Sequence, residues 1–299
     1  MTFRIAVPFL LFTACAAFAD PPAPGIQELP APIRDQDYHL VFDEEFDGPA
    51  GAKPDPTKWS PRTLGHWREA WNVEDCARLD GNGKLVISLR KNGDRVETGY
   101  IGTQGKFAAT HGYFECRCQL QKAVGCWSAF WIQTPKMGDP EVDPSAGVEI
   151  DVMEYIEGGP YYHEKVRHTG HWGGYDKEHH KSEGVGIKVP GVSEGFHTFA
   201  TKWDEAGYVF YVDGVETGRW KNVPMSNRPE FLILSCEVQG WAGDIGKATL
   251  PDAFTVDYVR VWQTPAQIAA DKARAEAEKA EKIRADAQKT AGKKSHPTS

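Results

Sequence analysis

The run GVEIDVMEY, residues 147 to 155, sets Glu149, Asp151 and Glu154 into an otherwise apolar stretch. Val and Ile at alternate places favour a strand, whose side chains point to opposite faces in turn. Glu149 and Asp151 then share one face, and strict alternation sends Glu154 to the other. One inserted residue, a β-bulge between Asp151 and Glu154, returns all three carboxylates to a common face, and bulges are frequent beside active sites. A helix would instead splay Glu149 from Glu154.

Three crowded carboxylates cannot all ionise freely, so at least one apparent pKa rises and the titration belongs to the group. A general acid needs such a raised pKa near neutral pH, while its neighbour must stay ionised to attack. With the bulge counted out, the two glutamates stand about four strand steps apart, roughly 13 Å between Cα atoms, and their side chains narrow the gap to ~5 Å. Sugar-cleaving enzymes that retain configuration hold their carboxyls roughly 5 to 5.5 Å apart, against ~6.5 to 9.5 Å for inverting ones, so the spacing favours retention. The same acids would serve as a solvent-facing or calcium-binding cluster, and on their own they leave that open.

The elements that must position these acids read as strands. From Tyr38 onward the chain alternates short apolar runs, among them YHLVFDEEF, KLVISLR, GYFECRCQLQ, WSAFWIQ, HTFATKWD, YVFYVDG, EFLILSCEV and FTVDYVRVW. Gly, Pro, Asn and Asp punctuate them, and no amphipathic helix lies between. This is the pattern of an antiparallel sandwich or jelly roll spanning residues 38–264. Asp213-Gly214 between two strand-like runs signals a tight hairpin. No internal repeat is present.

The chain has 299 residues, 40% hydrophobic, enough for one large all-β domain. Its formal charge of -8 disfavours nucleic acid or an anionic membrane as partner and suits a neutral one. Residues 1–19 carry one Arg, an apolar run too short to span a bilayer and Ala17-Phe18-Ala19, which together read as an export signal to a secreted or periplasmic destination. A lipid anchor on Cys15 is disfavoured by Phe12, where a lipobox has Leu. Residues 20–37 are Pro-rich, an extended and poorly ordered lead-in. Residues 265–299 are rich in Ala and alternating charge, with Ile268 and Ile283 the large apolar positions, so they read as a helical or frayed tail that buries little.

Beyond the signal, Cys76, Cys116, Cys118, Cys126 and Cys236 are odd in number and irregular in spacing, which implies no disulfide framework. Cys116 and Cys118 lack the second ligand pair that a zinc site needs and read as core.

The region from Phe42 to Trp262 resembles glycoside hydrolase family 16, the laminarinase, lichenase, agarase and carrageenase family. The resemblance rests on E-I-D-V-M-E at the acidic strand, with HGYFECRCQL, GCWSAFWIQTP, GFHTFATKWD, YVFYVDG and DYVRVW in the family's order. It implies a concanavalin A-like jelly roll of two curved antiparallel sheets, with a polysaccharide in the concave cleft. It also implies Glu149 as nucleophile, Asp151 as supporting carboxylate and Glu154 as acid/base, with no cofactor required. Sugar platforms are expected from Trp127 and Trp131, four apart and so on one strand face. The resemblance puts His171 beside the acids, and Trp71 and Trp241 are expected at outer subsites. It further suggests a structural calcium bound through oxygens of Glu45, Gly81 and Asp257. A monomer is expected.

Two stretches depart from the laminarinase-like pattern. Residues 235–244 read SCEVQGWAGD where NLAVGGNWPG is expected, and Ser128 replaces a Pro after the first Trp. Both lie in cleft-forming segments and put β-1,3-glucan as substrate in doubt. A lectin-like groove without catalysis is the alternative of another class, and transglycosylation or cleavage of an algal galactan are the nearer ones.

Overall fold

The computed structural model describes residues 28–137, 147–158, 164–175, 177, 180–221 and 225–294. The expected export signal, and residues 20–27 of the Pro-rich lead-in, lie outside the described residues. Along the chain run β1 (His39–Glu44), β2 (Ser60–Pro61), β3 (Gly65–Trp67), β4 (Ala70–Asn72), β5 (Ala77–Leu79), β6 (Leu85–Asn92), β7 (Arg95–Thr98) and β8 (Tyr100–Gly102). The longer strands follow: β9 (Gly112–Gln119), β10 (Cys126–Gln133), β11 (Val148–Ile156), β12 (Lys165–Trp172), β13 (Lys181–Lys188), β14 (His197–Asp204), β15 (Gly207–Val212), β16 (Val215–Trp220), β17 (Phe231–Val238) and β18 (Asp252–Gln263). One helix, α1 (Pro265–Lys294), closes the described chain.

Among the described residues the strands form two sheets that pack face to face as a jelly roll. The smaller has the order β13-β12-β11-β10-β17-β8-β2, and the larger runs β16-β15-β14-β9-β18-β6-β7-β4-β3, with β1 on β18 and β5 on β6. Pairing is antiparallel except between β4 and β7. Alternation makes the core: on β6, Leu85, Ile87 and Leu89 are buried while Val86, Ser88 and Arg90 are half-buried. On β10 and β17 every residue is buried, because one face meets the core and the other is roofed by large side chains of the concave surface.

The hairpin at Asp213-Gly214 forms as its residues dictate. Asp213 and Gly214 both take positive φ, at 50° and 74°, and join Val212 to Val215, the geometry that matches the twist of paired strands. The apolar runs from Tyr38 to Trp262 all appear as strands.

Two elements differ from the sequence reading, and a third, the tail, adds a docking contact to the helix expected there. The end of the lead-in is packed: a 3-10 turn at Ala31–Ile33 buries Ile33 completely against Tyr38, Tyr113, Ala200 and Trp262, since one large aliphatic residue suffices to anchor a short segment. Strand β13, KSEGVGIK, was silent in the sequence because it is an edge strand, exposed along nearly its whole length and without apolar alternation. The tail is a 30-residue helix docked at its start, where Asp271 accepts from the Thr110 backbone N–H and the Gln263 amide, each at 2.8 Å. Further along it is polar, and Ile283 is exposed. No helix among the described residues is long and apolar enough to cross a membrane.

Candidate active site

The acidic strand carries the expected bulge. Against β12, Asp151 pairs with Thr169 and Glu154 with Arg167, so Val152 and Met153 oppose the single residue His168. On the other side Glu149, Asp151 and Glu154 stand opposite Gln133, Trp131 and Ala129 of β10. All six line one cleft of about 590 Å³ on the concave surface. Val148, Ile150, Val152, Met153 and Tyr155 turn into the core instead.

His168 holds the bulge in place. It is completely buried, stacks on Phe210 at 4.5 Å, and its Nδ1–H donates to the Val152 carbonyl at 2.7 Å. The acceptor fixes the tautomer, leaving Nε2 to accept from the Thr217 hydroxyl at 2.9 Å. Burial lowers the His168 pKa to about 4, so the ring is neutral.

Each acid has a distinct environment. Glu149, 8% exposed, accepts from the Gln133 amide at 2.6 Å and from the Tyr175 hydroxyl, both on Oε2. Asp151, 5% exposed, lies 3.2 Å from Nε2 of His171, which stands 3.8 Å from Glu149. Glu154 is partly exposed and accepts from the Thr169 hydroxyl. Burial pushes the Asp151 carboxyl well above its usual range, the charges of Glu154 and Glu149 push it further, and only His171 opposes them. Burial likewise raises Glu154, against the Thr169 hydrogen bond and the charges of His171 and Arg167. For His171 burial works against the cation, yet the hydrogen bond and charge of Asp151, with Glu149 and Glu154 behind it, raise its pKa to about 9. His171 Nδ1 is 2.9 Å from Nε2 of His180, and the rings stack.

One atom each of Glu149, Asp151 and His171 lie within 4.8 Å of one another, a spacing that could also seat a cation. A protonated His171 supplies that positive charge itself. The arrangement sets Glu149, which accepts two hydrogen bonds, on the same face as Glu154, a carboxyl whose pKa burial raises, with Asp151 and His171 between them. Such a set suits proton delivery to a leaving group coupled to nucleophilic attack.

The floor and walls are aromatic. Trp127 and Trp131 are heavily buried and line the cleft, with Trp131 Nε1–H donating to the Ser235 hydroxyl at 3.1 Å. Trp241, 45% exposed, packs on Trp127 with ring centroids 4.6 Å apart. Arg68 lies over Trp127 at 4.7 Å and donates to Glu237 at 2.6 Å; Trp67 donates to the same Glu237 oxygen at 2.9 Å. Trp71 stands apart: it does not line the cleft, and Arg95 covers its ring at 4.1 Å. Trp67, 42% exposed, lines the cleft instead.

Sequence reasoning missed Gln133, Tyr175, His180, Trp67, Arg68, Tyr100 and Glu237, all of which line the cleft. Gln133 was within reach, since it continues the period-two face of Trp127 and Trp131. The others come from loops and neighbouring strands, where spacing carries no signal.

Of the three residues expected to offer oxygens to calcium, Glu45 and Asp257 have carboxylates engaged by protein cations. Arg260 grips the Glu45 carboxylate with two hydrogen bonds of 2.6 and 2.7 Å, and Arg117 and Lys84 pair with Asp257. Gly81 sits in a turn packed against Ala50. Cys116 and Cys118 are buried core residues, as expected.

A jelly roll with paired carboxylates on a bulged strand in an aromatic cleft defines a glycosidase of the double-carboxylate kind. The profile of Glycosyl hydrolases family 16 matches residues 66–260, more than half of the chain, and the protein belongs to that family. It is 28% identical to a β-glucanase of Rhodothermus marinus over 76% of this chain and 85% of that protein. It is 29% identical to a keratan-sulfate endo-1,4-β-galactosidase of Sphingobacterium multivorum, over 77% of this chain and 56% of that longer protein. The laminarinase catalytic domain of Thermotoga maritima superposes with a TM-score of 0.64 at 29% identity, covering 76% of this chain and 99% of that one.

Proposed function

We propose that the protein is an exported, endo-acting β-glycan hydrolase that works with retention of anomeric configuration, its substrate a β-1,3- or mixed-linkage glucan. Glu149 attacks the anomeric carbon as Glu154 gives its proton to the departing glycosidic oxygen, and a glycosyl ester forms on Glu149. Glu154, now ionised, takes a proton from water, whose oxygen displaces the Glu149 carboxylate. Asp151 with His171 keeps negative charge between the two glutamates adjustable, so that neither step strands an isolated buried charge.

The observation that carries this reading is the bulge at Val152, which gives Glu149, Asp151 and Glu154 a common outlook into one cleft. The relatives support a β-linked glycan cut internally. A non-catalytic lectin would have no use for a carboxyl with a raised pKa beside an ionised one. The choice of water over a sugar acceptor is a competition for the ester, read by product analysis.

One observation favours a galactan as second reading. The wall built by Glu237 and Trp241 comes from SCEVQGWAGD, the stretch that departs from the laminarinase-like pattern, and one relative is a galactosidase acting on keratan sulfate. Incubation with laminarin, mixed-linkage glucan, agarose, carrageenan and keratan sulfate, with reducing ends counted and products sized, decides between them. Internal cleavage of the glucans supports the first reading, cleavage confined to galactans the second, and binding without new reducing ends contradicts both.

A further inference from the structure

We propose that Cys126 and Cys236 form a disulfide that ties β10 to β17 directly behind the cleft wall. The two residues sit on neighbouring antiparallel strands, in a register that pairs Cys126 with Val238 and Cys236 with Ser128. Both are completely buried in the core between the sheets. Their Sγ atoms are 2.9 Å apart, in direct contact across the strand pair. One residue along each strand, Trp127 and Glu237 face each other from the opposite side of the sheet and line the cleft. The link thus fixes the backbone from which the Trp127–Arg68–Glu237 wall is built.

The other described cysteines remain thiols. Cys116 and Cys118 share the single strand β9, and Cys76 lies in the turn before β5. One bond and three buried thiols account for the odd count.

Bond formation removes one hydrogen from each thiol. The two electrons and two protons pass by thiol–disulfide exchange to a disulfide-bearing oxidant, which leaves as two thiols. Exchange requires a thiolate, and burial holds the Cys126 thiol far above its ordinary pKa once the sheets have closed. The bond therefore forms during folding, in an oxidising compartment such as export would provide. It joins positions 110 residues apart, a long loop, for which the constraint on the unfolded chain is large.

The test uses the full chain, unfolded with reductant and refolded with a mixture of reduced and oxidised glutathione. Remaining thiols are alkylated in denaturant, and the protein is digested and weighed with and without reduction. The expected result is a linked peptide pair containing Cys126 and Cys236, lighter than its two parts by two hydrogens and lost on reduction, with Cys76, Cys116 and Cys118 alkylated. The Tm of the linked protein should exceed that of protein refolded in reductant by roughly 5–10 °C. Alkylation of both Cys126 and Cys236 after oxidative refolding, or linkage of Cys236 to Cys76, overturns the proposal. Should recovery from denaturant fail, the same digest on exported protein, without refolding, distinguishes the linked pair from five free thiols.

Discussion

His171 Nε2 lies 3.2 Å from Asp151 Oδ2, in the middle of the acidic strand's open face. The pair is flanked by Glu149 on one side and Glu154 on the other, so proton sharing there sets the charge that both glutamates feel. Replacing His171 by Gln removes the cation. The Glu154 carboxyl should then rise further, the acid-limb and base-limb midpoints of the kcat/KM profile should move, and the rate on polysaccharide should fall. A profile unchanged in shape would show that His171 only fills space.

The same pair makes stability depend on pH with a defined sign. The His171 pKa is raised in the folded chain from 6.5 to about 9, so its contribution is complete below pH 6.5 and is lost as pH rises through about 9. Denaturant midpoints of the parent and H171Q proteins should differ most near pH 6 and converge above pH 9. A difference that grows with pH would contradict the assignment.

Glu154 is expected to be the proton donor. In E154Q, kcat/KM on a β-glucan should fall by roughly 10²–10⁴-fold. On an aryl glycoside with a good leaving group, the first step should be nearly unaffected, because departure then needs no proton. Equal losses on both substrates would point to a structural role.

Much of this was legible in the residues. GVEIDVMEY gave strand, face and bulge together, because only a bulge reconciles period-two alternation with acids at positions 149, 151 and 154. The same periodicity put Trp127 and Trp131 on one strand face, and the family resemblance put that face toward the cleft. Tyr175, His180 and Arg68 were not legible, since they reach the cleft from loops whose paths local spacing does not encode. Trp71 was misplaced for a related reason: Trp67 and Trp71 sit four residues apart across a tight β3–β4 turn, and only the turn decides which ring meets the cleft. Strand β13 was invisible because an exposed edge needs no apolar pattern.

His168, buried behind the bulge, should matter to catalysis without touching substrate. H168L leaves the Val152 carbonyl unsatisfied, at a cost of about 1–3 kcal/mol. Because burial depresses the His168 pKa from 6.5 to about 4, the parent's stability is full above pH 6.5 and declines as pH falls toward 4. The variant should lose that acid-side decline, and its kcat should drop more than its KM changes as the bulge relaxes. Unaltered kcat with lowered stability would assign His168 to packing alone.

The walls predict binding rather than rate. Trp127→Ala and Trp131→Ala each remove a buried ring from the cleft floor, and in an E149Q background each should weaken oligosaccharide binding by about tenfold or more, by the area lost. Titration calorimetry reads this directly. Affinity that survives both changes would move the sugar path elsewhere.

The central claim is that Glu149 attacks the sugar and Glu154 handles the proton. E149A, supplied with azide and an activated β-glycoside, tests it most directly: activity should return with an α-glycosyl azide as product, while E154A under the same conditions should yield the β-azide. A β-azide from E149A, or no rescue of that variant while its fold is intact, would contradict the assignment.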